Sequence, residues 1–414
     1  MNTDDLKLPR PGLVLPRRTF LKGVLAGAGA LAVAPGALHS QLLADTTRPD
    51  YRGPNVIVVR FGGGVRRLET IDPKGTTYAP FLRNTLAKEG TLFPKMEIDN
   101  FQDINTSHGE GTLYILTGKY EKFRDIGQMH PEMGKKFLGT RFESSAPTVF
   151  EYLRKAYNVP DHQTLIVNGE DRGDEEFYNF SNHHAFGANF KSNTLSLRRF
   201  KTFLLRRQIA EGKFTGQELS QKQKDLAQME SVDYRHTETN GQGPELTKFW
   251  QRWREHYGDS GFVNPRGDRL LTELTIRAIK ELRPKLIMVN YSDPDYVHWG
   301  NMTHYTRGIA IIDEGLQQLV ATVKADPEYR DNTIFCVVPD CGRDTNPYVA
   351  VPCQHHFNSR SSHEIFALFH GPGIARNVVV DKPVDQIQVA ATIGKLMKMP
   401  TAEAERRILE PVFA

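Results

Sequence analysis

Cysteine is scarce in this sequence, and the signals of several specialised protein classes are missing. The chain has 414 residues and three cysteines, Cys336, Cys341 and Cys353, which excludes a scaffold built on disulfides. Cys341 and Cys353 could pair, although separate thiols are the simpler interpretation. No basic block stands out among 53 basic and 49 acidic residues, so nucleic acid is not an expected partner. No internal repeat is found, and the length suits one large domain with insertions or two ordinary ones.

The amino terminus has the pattern of an export signal. Residues 16–22, PRRTFLK, precede an apolar stretch rich in Gly and Ala that ends near Leu38. A membrane anchor is the alternative, but the stretch falls short of the ~20 residues that a spanning helix needs. The pattern predicts a twin-arginine signal and linker over residues 1–48, cleaved near Ala44, and therefore a periplasmic or secreted protein. We expect the twin-arginine export machinery as a partner and no stable membrane span after cleavage.

Short apolar runs alternate with amphipathic segments along the rest of the chain. Strands are predicted at residues 55–60, 91–98, 164–167, from 286 onward, at 333–338 and at 365–369. Helices are predicted at residues 78–88, 111–116, 146–155, 268–282, 306–323 and 384–396. This alternation predicts a three-layer α/β/α sandwich with a mainly parallel sheet over residues 49–414. The polar, helix-like residues 170–262 are predicted to form a cap over the active edge of the sheet.

Two of the predicted strands end in residue types that bind metals. In an open α/β sheet, reactive groups gather beyond the carboxyl ends of the strands. The candidate ligands follow the strands that begin at Leu286 and Thr333: Asp293, Asp295, His298, Asp340, His355, His356 and His363. Asp and neutral His are ligands that Zn, Mn and Mg sites use, so the pattern predicts a metallohydrolase. The sequence leaves open whether Asp293 is a ligand and which of His355 and His356 faces the cleft.

A nucleophile is expected at the start of a helix. Thr106 and Ser107 precede the helical segment at 111–116. The amino terminus of a helix favours an anion and lowers the pKa of a nucleophile placed there. The alternative is that one of these residues only caps the helix. Residues 62–64, three glycines after the first strand, could cradle a phosphate, although a tight turn is the simpler interpretation.

Together these segments resemble the alkaline phosphatase superfamily, which includes sulfatases, nucleotide pyrophosphatases and cofactor-independent phosphoglycerate mutases. The matching positions are Thr117-Gly118, Pro294-Asp295, His298, Gly300, Asp340, Gly342 and His363. With its leader, the chain looks closer still to a sulfatase-like exported branch of undefined function. The resemblance implies one ion bound by Asp295, His298 and His363, and a second site that contains Asp340.

The sequence departs from the pattern of this superfamily at several positions. The first strand ends in Arg60-Phe61, where the superfamily has an aspartate. His108 stands nine residues before Thr117, where the nucleophile is expected. Cys341 replaces the histidine that usually follows the aspartate of the second site, and its softer sulfur would favour zinc.

The resemblance implies hydrolysis of a small anionic phosphate or sulfate ester. A metal-activated Ser107 or Thr106 would attack, and water would release the covalent ester. Arg343 or Arg66 would clamp the anion. The expected cofactor is zinc, as one or two ions, with Mn, Mg or Ca as alternatives. The competing hypothesis is a catalytically degenerate relative that holds an anionic ligand or a partner, because losing ~3 kcal/mol of transition-state stabilisation lowers a rate roughly a hundredfold.

Overall fold

The structure, a computed structural model, describes most of the chain after residue 47. The described residues are 48–99, 104, 106–121, 144–169, 178–230, 243–263, 267–298, 301–344, 353–355, 359–405 and 407–414. The predicted export signal before residue 48 and the candidate ligand His356 lie outside these ranges.

Nine strands of the described residues form a single sheet. They are β1 (Asn55–Arg60), β2 (Thr91–Glu97), β3 (Thr164–Val167), β4 (Asn193–Leu195), β5 (Leu286–Asn290), β6 (Thr333–Val338), β7 (Glu364–His370), β8 (Val378–Val379) and β9 (Val384–Asp385). Their order is β4-β3-β5-β1-β6-β7-β2-β8, and β9 pairs with β2. β1 lies between β5 and β6 and runs parallel to both, whereas β7 is antiparallel to β6 and β2. The loops after β1, β5 and β6 therefore meet at one edge of the sheet.

Helices accompany the strands in the alternating order that the sequence predicts. They are α1 (Ala87–Glu89), α2 (His108–Thr117), α3 (Val149–Ala156), α4 (Leu197–Ala210), α5 (Gly216–Glu230), α6 (Pro244–Tyr257), α7 (Asp268–Glu281), α8 (Met302–Ala325), α9 (Arg360–His363) and α10 (Gln388–Leu396). A π-helical turn, Leu82–Leu86, leads directly into α1. Within the described residues, we find no helix with the length and apolarity that crossing a membrane requires.

The side chains of β1 alternate between two separate cores. Val56 and Val58 lie in the core that includes residues of α2, α3 and α10. Ile57 and Val59 lie in the core that includes residues of α7 and α8. Successive strand residues point to opposite faces, so a wholly apolar run indicates burial on both sides. This confirms the predicted three-layer α/β/α sandwich with a mainly parallel sheet.

The segment predicted as a cap contributes to the sheet as well as to the helices. Its described part contains β4 at the edge of the sheet, followed by α4, α5 and α6. Phe200 of α4 and Trp250 of α6 belong to the same core as Ile57. Strand β4 escapes sequence reasoning because its polar residues Asn193 and Thr194 form no apolar run. That the helices cap the active edge stays a prediction.

The side chain of Asp313, in α8, binds the backbone at the start of the π-helical turn Leu82–Leu86. Its carboxylate accepts hydrogen bonds from the backbone N–H groups of Phe81 and Leu82, each at 2.8 Å. The residue is only 4% exposed, and burial raises the pKa of Asp313 to about 6. Because this value exceeds the unfolded value of ~3.9, the stabilisation from the bound proton is complete below pH ~4 and is lost as pH rises through 6.

We expect Asp313→Asn to remove this pH dependence. The two pKa values correspond to ~3 kcal/mol, so the free energy of unfolding of the variant should rise relative to wild type by up to that amount between pH 4 and pH 7. Urea unfolding at both pH values measures the difference. Glu314→Gln, at an exposed neighbour on α8, is the control and should show no such trend. A pH-independent difference for Asp313→Asn would contradict the assignment.

Candidate functional site

The glycine-rich loop after β1 forms one wall of the site. Gly63 and Gly64 have φ values of +81° and +64°, a region that favours glycine. A Cβ atom on Gly63 would lie 2.7 Å from the backbone nitrogen of Asp295. The two N–H groups donate to the carboxylate of Asp340, at 3.4 Å and 3.1 Å. The loop is therefore a tight turn whose amides hold a carboxylate.

Three histidines and an aspartate converge beside this loop. His108, Asp295, His298 and His355 each offer one ligand atom, and these atoms lie within 4.8 Å of one another. Oδ1 of Asp295 lies 2.8 Å from Nε2 of His108, 3.0 Å from Nε2 of His298 and 3.9 Å from Nε2 of His355. We call these four residues the histidine group. Their number and types match a protein zinc site.

The members of the histidine group come from different parts of the fold. Asp295 and His298 lie in a 3₁₀ turn, Asp293–His298, that follows β5. His108 is the first residue of α2, and His355 follows Asp340 by fifteen positions in the chain. His108 stands at the position where the sequence pattern places a nucleophile, which is the one signal that could have identified it. Of the two alternatives at 355 and 356, the structure brings His355 into the group.

The positively charged side chain of Arg343 lies against the histidine group. Its side chain is fully buried, and its Nη2 contacts Oδ1 of Asp295 at 2.5 Å. Its Nε donates to the carbonyls of Gly63 and Gly64, at 2.9 Å and 2.8 Å, so the guanidinium is held firmly. Burial acts to raise the pKa of Asp295, but contacts with His108, His298 and Arg343 outweigh it and hold the pKa well below its usual range. Asp295 is therefore ionised.

A second group of potential ligands shares His108 with the first. His108 Nδ1 lies 2.7 Å from Oδ2 of Asp340 and 3.7 Å from Sγ of Cys341. Arg60 Nη2 lies 3.3 Å from the same Oδ2, with both side chains buried. Burial acts to raise the pKa of Asp340, yet His108 and Arg60 hold it well below its usual range. Burial, with the charge of Asp340, raises the pKa of the Cys341 thiol.

These contacts form a continuous line of side chains through the site, with an arginine at each end. It runs Arg60, Asp340, His108, Asp295, Arg343, and we call it the charge line. Two guanidinium groups therefore face two carboxylates, and His108 connects the carboxylates through its two ring nitrogens. Arg66, the other candidate clamp, instead pairs with Glu69 at 2.8 Å.

Two of the predicted ligands lie outside both groups. His363 is buried, and its Nδ1 lies 3.0 Å from the carbonyl oxygen of Ile98, while burial lowers its pKa. Asp293 accepts a hydrogen bond from the backbone N–H of Asp268 at 3.2 Å, and its own N–H donates to the Asp268 carboxylate at 2.7 Å. Burial raises the pKa of Asp293. The structure thus brings neither side chain to the histidine group.

The two candidate nucleophiles both have hydrogen-bond partners next to the site. The hydroxyl of Thr106 is buried and donates to the carbonyl oxygen of His355. Ser107 caps α2, because its Oγ accepts from the N–H of Glu110 at 3.2 Å. The same Oγ donates to the Glu110 carboxylate at 2.9 Å, and burial raises the pKa of that carboxyl. The capping role is observed, and the nucleophilic role of either residue stays a prediction.

Comparison with known proteins finds relatives by structure alone. Neither a family model nor a curated protein matches the sequence. A protein in the alkaline phosphatase superfamily from Vibrio parahaemolyticus superposes with a TM-score of 0.52 and 14% identity, over 89% of this chain and 73% of that one. A 2-O GAG sulfatase superposes with a TM-score of 0.50 and 10% identity, over 87% of this chain and 74% of that one. At these identities the likeness is one of fold.

Proposed function

We propose, from the premise that this chain has the fold of the alkaline phosphatase superfamily, that it is an exported metal-dependent hydrolase of a phosphate or sulfate ester. One divalent ion would be held by the histidine group. The supporting observation is the convergence of His108, Asp295, His298 and His355 at the carboxyl edge of the sheet. Three imidazoles and one carboxylate favour zinc over Mg or Ca, which prefer sets of oxygen ligands.

The proposed centre holds one ion, because the two groups share His108, and the histidine group offers four ligand atoms whereas the second group offers three. Asp340 would instead position His108. A carboxylate that accepts the Nδ1–H of a histidine fixes the ring and leaves Nε2 for the ion.

Residues of this chain supply the remaining parts of the reaction. Zinc, when bound, would polarise the ester and neutralise charge on its oxygens. Ser107 is the proposed nucleophile: its Oγ would bond to phosphorus or sulfur as the bond to the alcohol breaks. Glu110, which accepts its hydroxyl hydrogen bond, would receive the proton and pass it to the departing alcohol oxygen, and water would then hydrolyse the covalent ester. Thr106 is the second candidate, because it precedes Ser107 and its hydroxyl contacts the backbone of His355, a member of the histidine group. The amino terminus of α2 would attract the anionic oxygens, whereas the buried Arg343, whose donors are taken by Asp295 and by backbone carbonyls, would hold Asp295 in place.

A metal-free anion-binding protein is the second candidate function. The charge line favours the absence of a metal, because Arg60 and Arg343 balance Asp340 and Asp295 without an added ion, and the amino terminus of α2 would attract the anion. Such a protein would hold phosphate, sulfate or an anionic partner in the periplasm and would not turn it over.

Elemental analysis and a panel of aryl phosphates, phosphodiesters and aryl sulfates separate the two functions. We expect one zinc ion per chain and hydrolysis of at least one ester class. Ser107→Ala should lower kcat by roughly 10³-fold or more, because a nucleophile has no substitute. Ser196→Ala is the matched control, since Ser196 caps α4 in the same way and lies outside the site. Its expected cost is ~1 kcal/mol of stability with no loss of activity.

The other outcomes are equally informative. A chain that binds phosphate but no metal, and hydrolyses nothing, would be the metal-free binding protein. Activity that survives Ser107→Ala but not Thr106→Ala would move the nucleophile to Thr106, and activity that survives both would refute the covalent route.

A further inference from the structure

Several large apolar side chains face solvent, and three of them lie around one concavity. In the described part of the chain, the exposed large hydrophobic residues are Leu68, Tyr78, Phe262, Tyr296, Met302 and Val379. Half of them, Leu68, Tyr78 and Met302, line one pocket of about 480 Å³. Scattered exposed apolar residues need no explanation, but a cluster around a concavity indicates a binding surface. Pockets that bind organic ligands have volumes of ~300–1,000 Å³.

The pocket adjoins the candidate active site through Met302. Sδ of Met302 lies 3.5 Å from Sγ of Cys353. The carbonyl oxygen of Cys353 accepts a hydrogen bond from Nη1 of Arg343 at 2.5 Å. Tyr296, half exposed, lies next to Asp295 in the turn that carries two members of the histidine group. Contacts through Cys353 therefore connect the pocket with the segment that holds Arg343.

Hydrogen bonds within the loop hold the wall formed by residues 68–78. The N–H of Tyr78 donates to the carbonyl of Glu69 at 2.8 Å, and the hydroxyl of Thr77 donates to the carbonyl of Thr70 at 2.6 Å. On the opposite wall, Met302 begins α8, capped by the side chain of Asn301. Hydrogen bonds therefore fix the backbone of both walls that carry the apolar side chains.

Two of the polar side chains that line the pocket already have partners. The carboxylate of Glu69 pairs with Arg66, and the hydroxyl of Thr306 donates to the carbonyl of Met302 at 3.0 Å. Hydroxyl-rich ligands such as sugars need unsatisfied donors and acceptors to compensate for lost water. An aromatic ring is stabilised by apolar contacts. Tyr78 can stack on such a ring or meet it edge to face, and Met302 can place its thioether against it.

We propose that this pocket binds the aromatic alcohol portion of the ester that is hydrolysed at the histidine group. Leu68, Tyr78 and Met302 would contact the ring, and Lys74 at the lining adds a positive charge that favours anionic esters. The inference rests on the proposed function for its reaction, and the binding of the ring itself is independent of turnover.

Steady-state kinetics with 2-naphthyl and methyl esters of the accepted anion tests the proposal. We expect Met302→Ala and Tyr78→Ala each to raise KM for the 2-naphthyl ester roughly fivefold to tenfold, with kcat and the methyl ester unaffected. Both side chains are exposed, so truncation should leave the fold intact. Val379→Ala, at a residue 60% exposed on β8, is the control and should change neither KM. Equal KM values for wild type and both pocket variants would overturn the proposal.

Saturation-transfer NMR with 2-naphthol separates failure of the pocket from failure of the proposed reaction. We expect transfer to 2-naphthol in wild type and in Val379→Ala, and reduced transfer in Met302→Ala and Tyr78→Ala. If this holds while no ester is hydrolysed, the pocket stands and the hydrolase proposal falls. Hydrolysis with no difference in 2-naphthol binding among the variants would leave the hydrolase standing and refute the pocket.

Discussion

Asp295→Asn is expected to abolish binding of the proposed zinc ion and to lower kcat/KM by roughly 10³-fold or more, equivalent to ~4 kcal/mol of transition-state stabilisation. Oδ1 of this residue contacts His108, His298 and Arg343, so one atom holds the histidine group together. The amide removes the negative charge that attracts the ion. It also leaves the buried Arg343 without its carboxylate partner. Elemental analysis and kinetics on the purified variant measure both losses.

Asp293→Asn is the matched control for that experiment. Asp293 lies two residues away in the same turn, but its carboxylate accepts from the backbone N–H of Asp268 instead of reaching the histidine group. We expect this variant to keep its zinc and most of its activity. Loss of the ion in Asp293→Asn with retention in Asp295→Asn would reverse the assignment of the two aspartates.

Arg60→Met is expected to lower the free energy of unfolding by ~3–5 kcal/mol, because it leaves the buried carboxylate of Asp340 without its guanidinium partner. Arg60 and Asp340 are 1% and 0% exposed, respectively. Arg60 also donates to Oγ1 of Thr112 at 2.8 Å and to the carbonyl of Tyr291 at 3.0 Å, which are left without these donors. The depressed pKa of Asp340 means that its stabilisation is present at neutral pH and is lost only in acid.

Chemical unfolding of a double-mutant cycle isolates this contribution. Arg60→Met combined with Asp340→Asn should cost less than the sum of the single variants, because the second change removes the stranded charge. Arg207→Met is the control, since its pair with Glu211 is about half exposed and should be worth only ~0.3–0.5 kcal/mol. Additive effects at Arg60 and Asp340, or a cost for Arg60→Met as small as that of the control, would show that the charge line does not stabilise the fold.

The histidine group shows where sequence reasoning succeeds and where it fails. Asp295 and His298 were predicted together and lie together, because they are three positions apart within one short turn after β5. His363 also lies next to a strand, β7, but its ring contacts the carbonyl of Ile98 and does not join the histidine group. Position along a chain constrains where the backbone of a loop lies. It does not determine the direction in which a side chain points.

His108 illustrates a different limit. Its place before Thr117 identified it as a departure from the expected nucleophile, yet nothing local indicates that its ring bridges Asp295 and Asp340. Those partners are 187 and 232 residues away in the chain. Arg60 and His108, which both depart from the pattern of the superfamily, are thus connected in the structure as members of the charge line.

Local pattern alone was sufficient for the sandwich. The apolar runs of β1, β5 and β6 can be buried only if both faces of the sheet are covered. Neighbouring residues in the sequence are therefore enough to predict helices on both faces. The composition of the site required the tertiary structure, because contacts between charges depend on distances of a few ångströms between atoms from distant segments. Contacts with His108, Arg343 and Arg60 keep Asp295 and Asp340 ionised against the effect of burial, whereas burial raises the pKa of the Cys341 thiol.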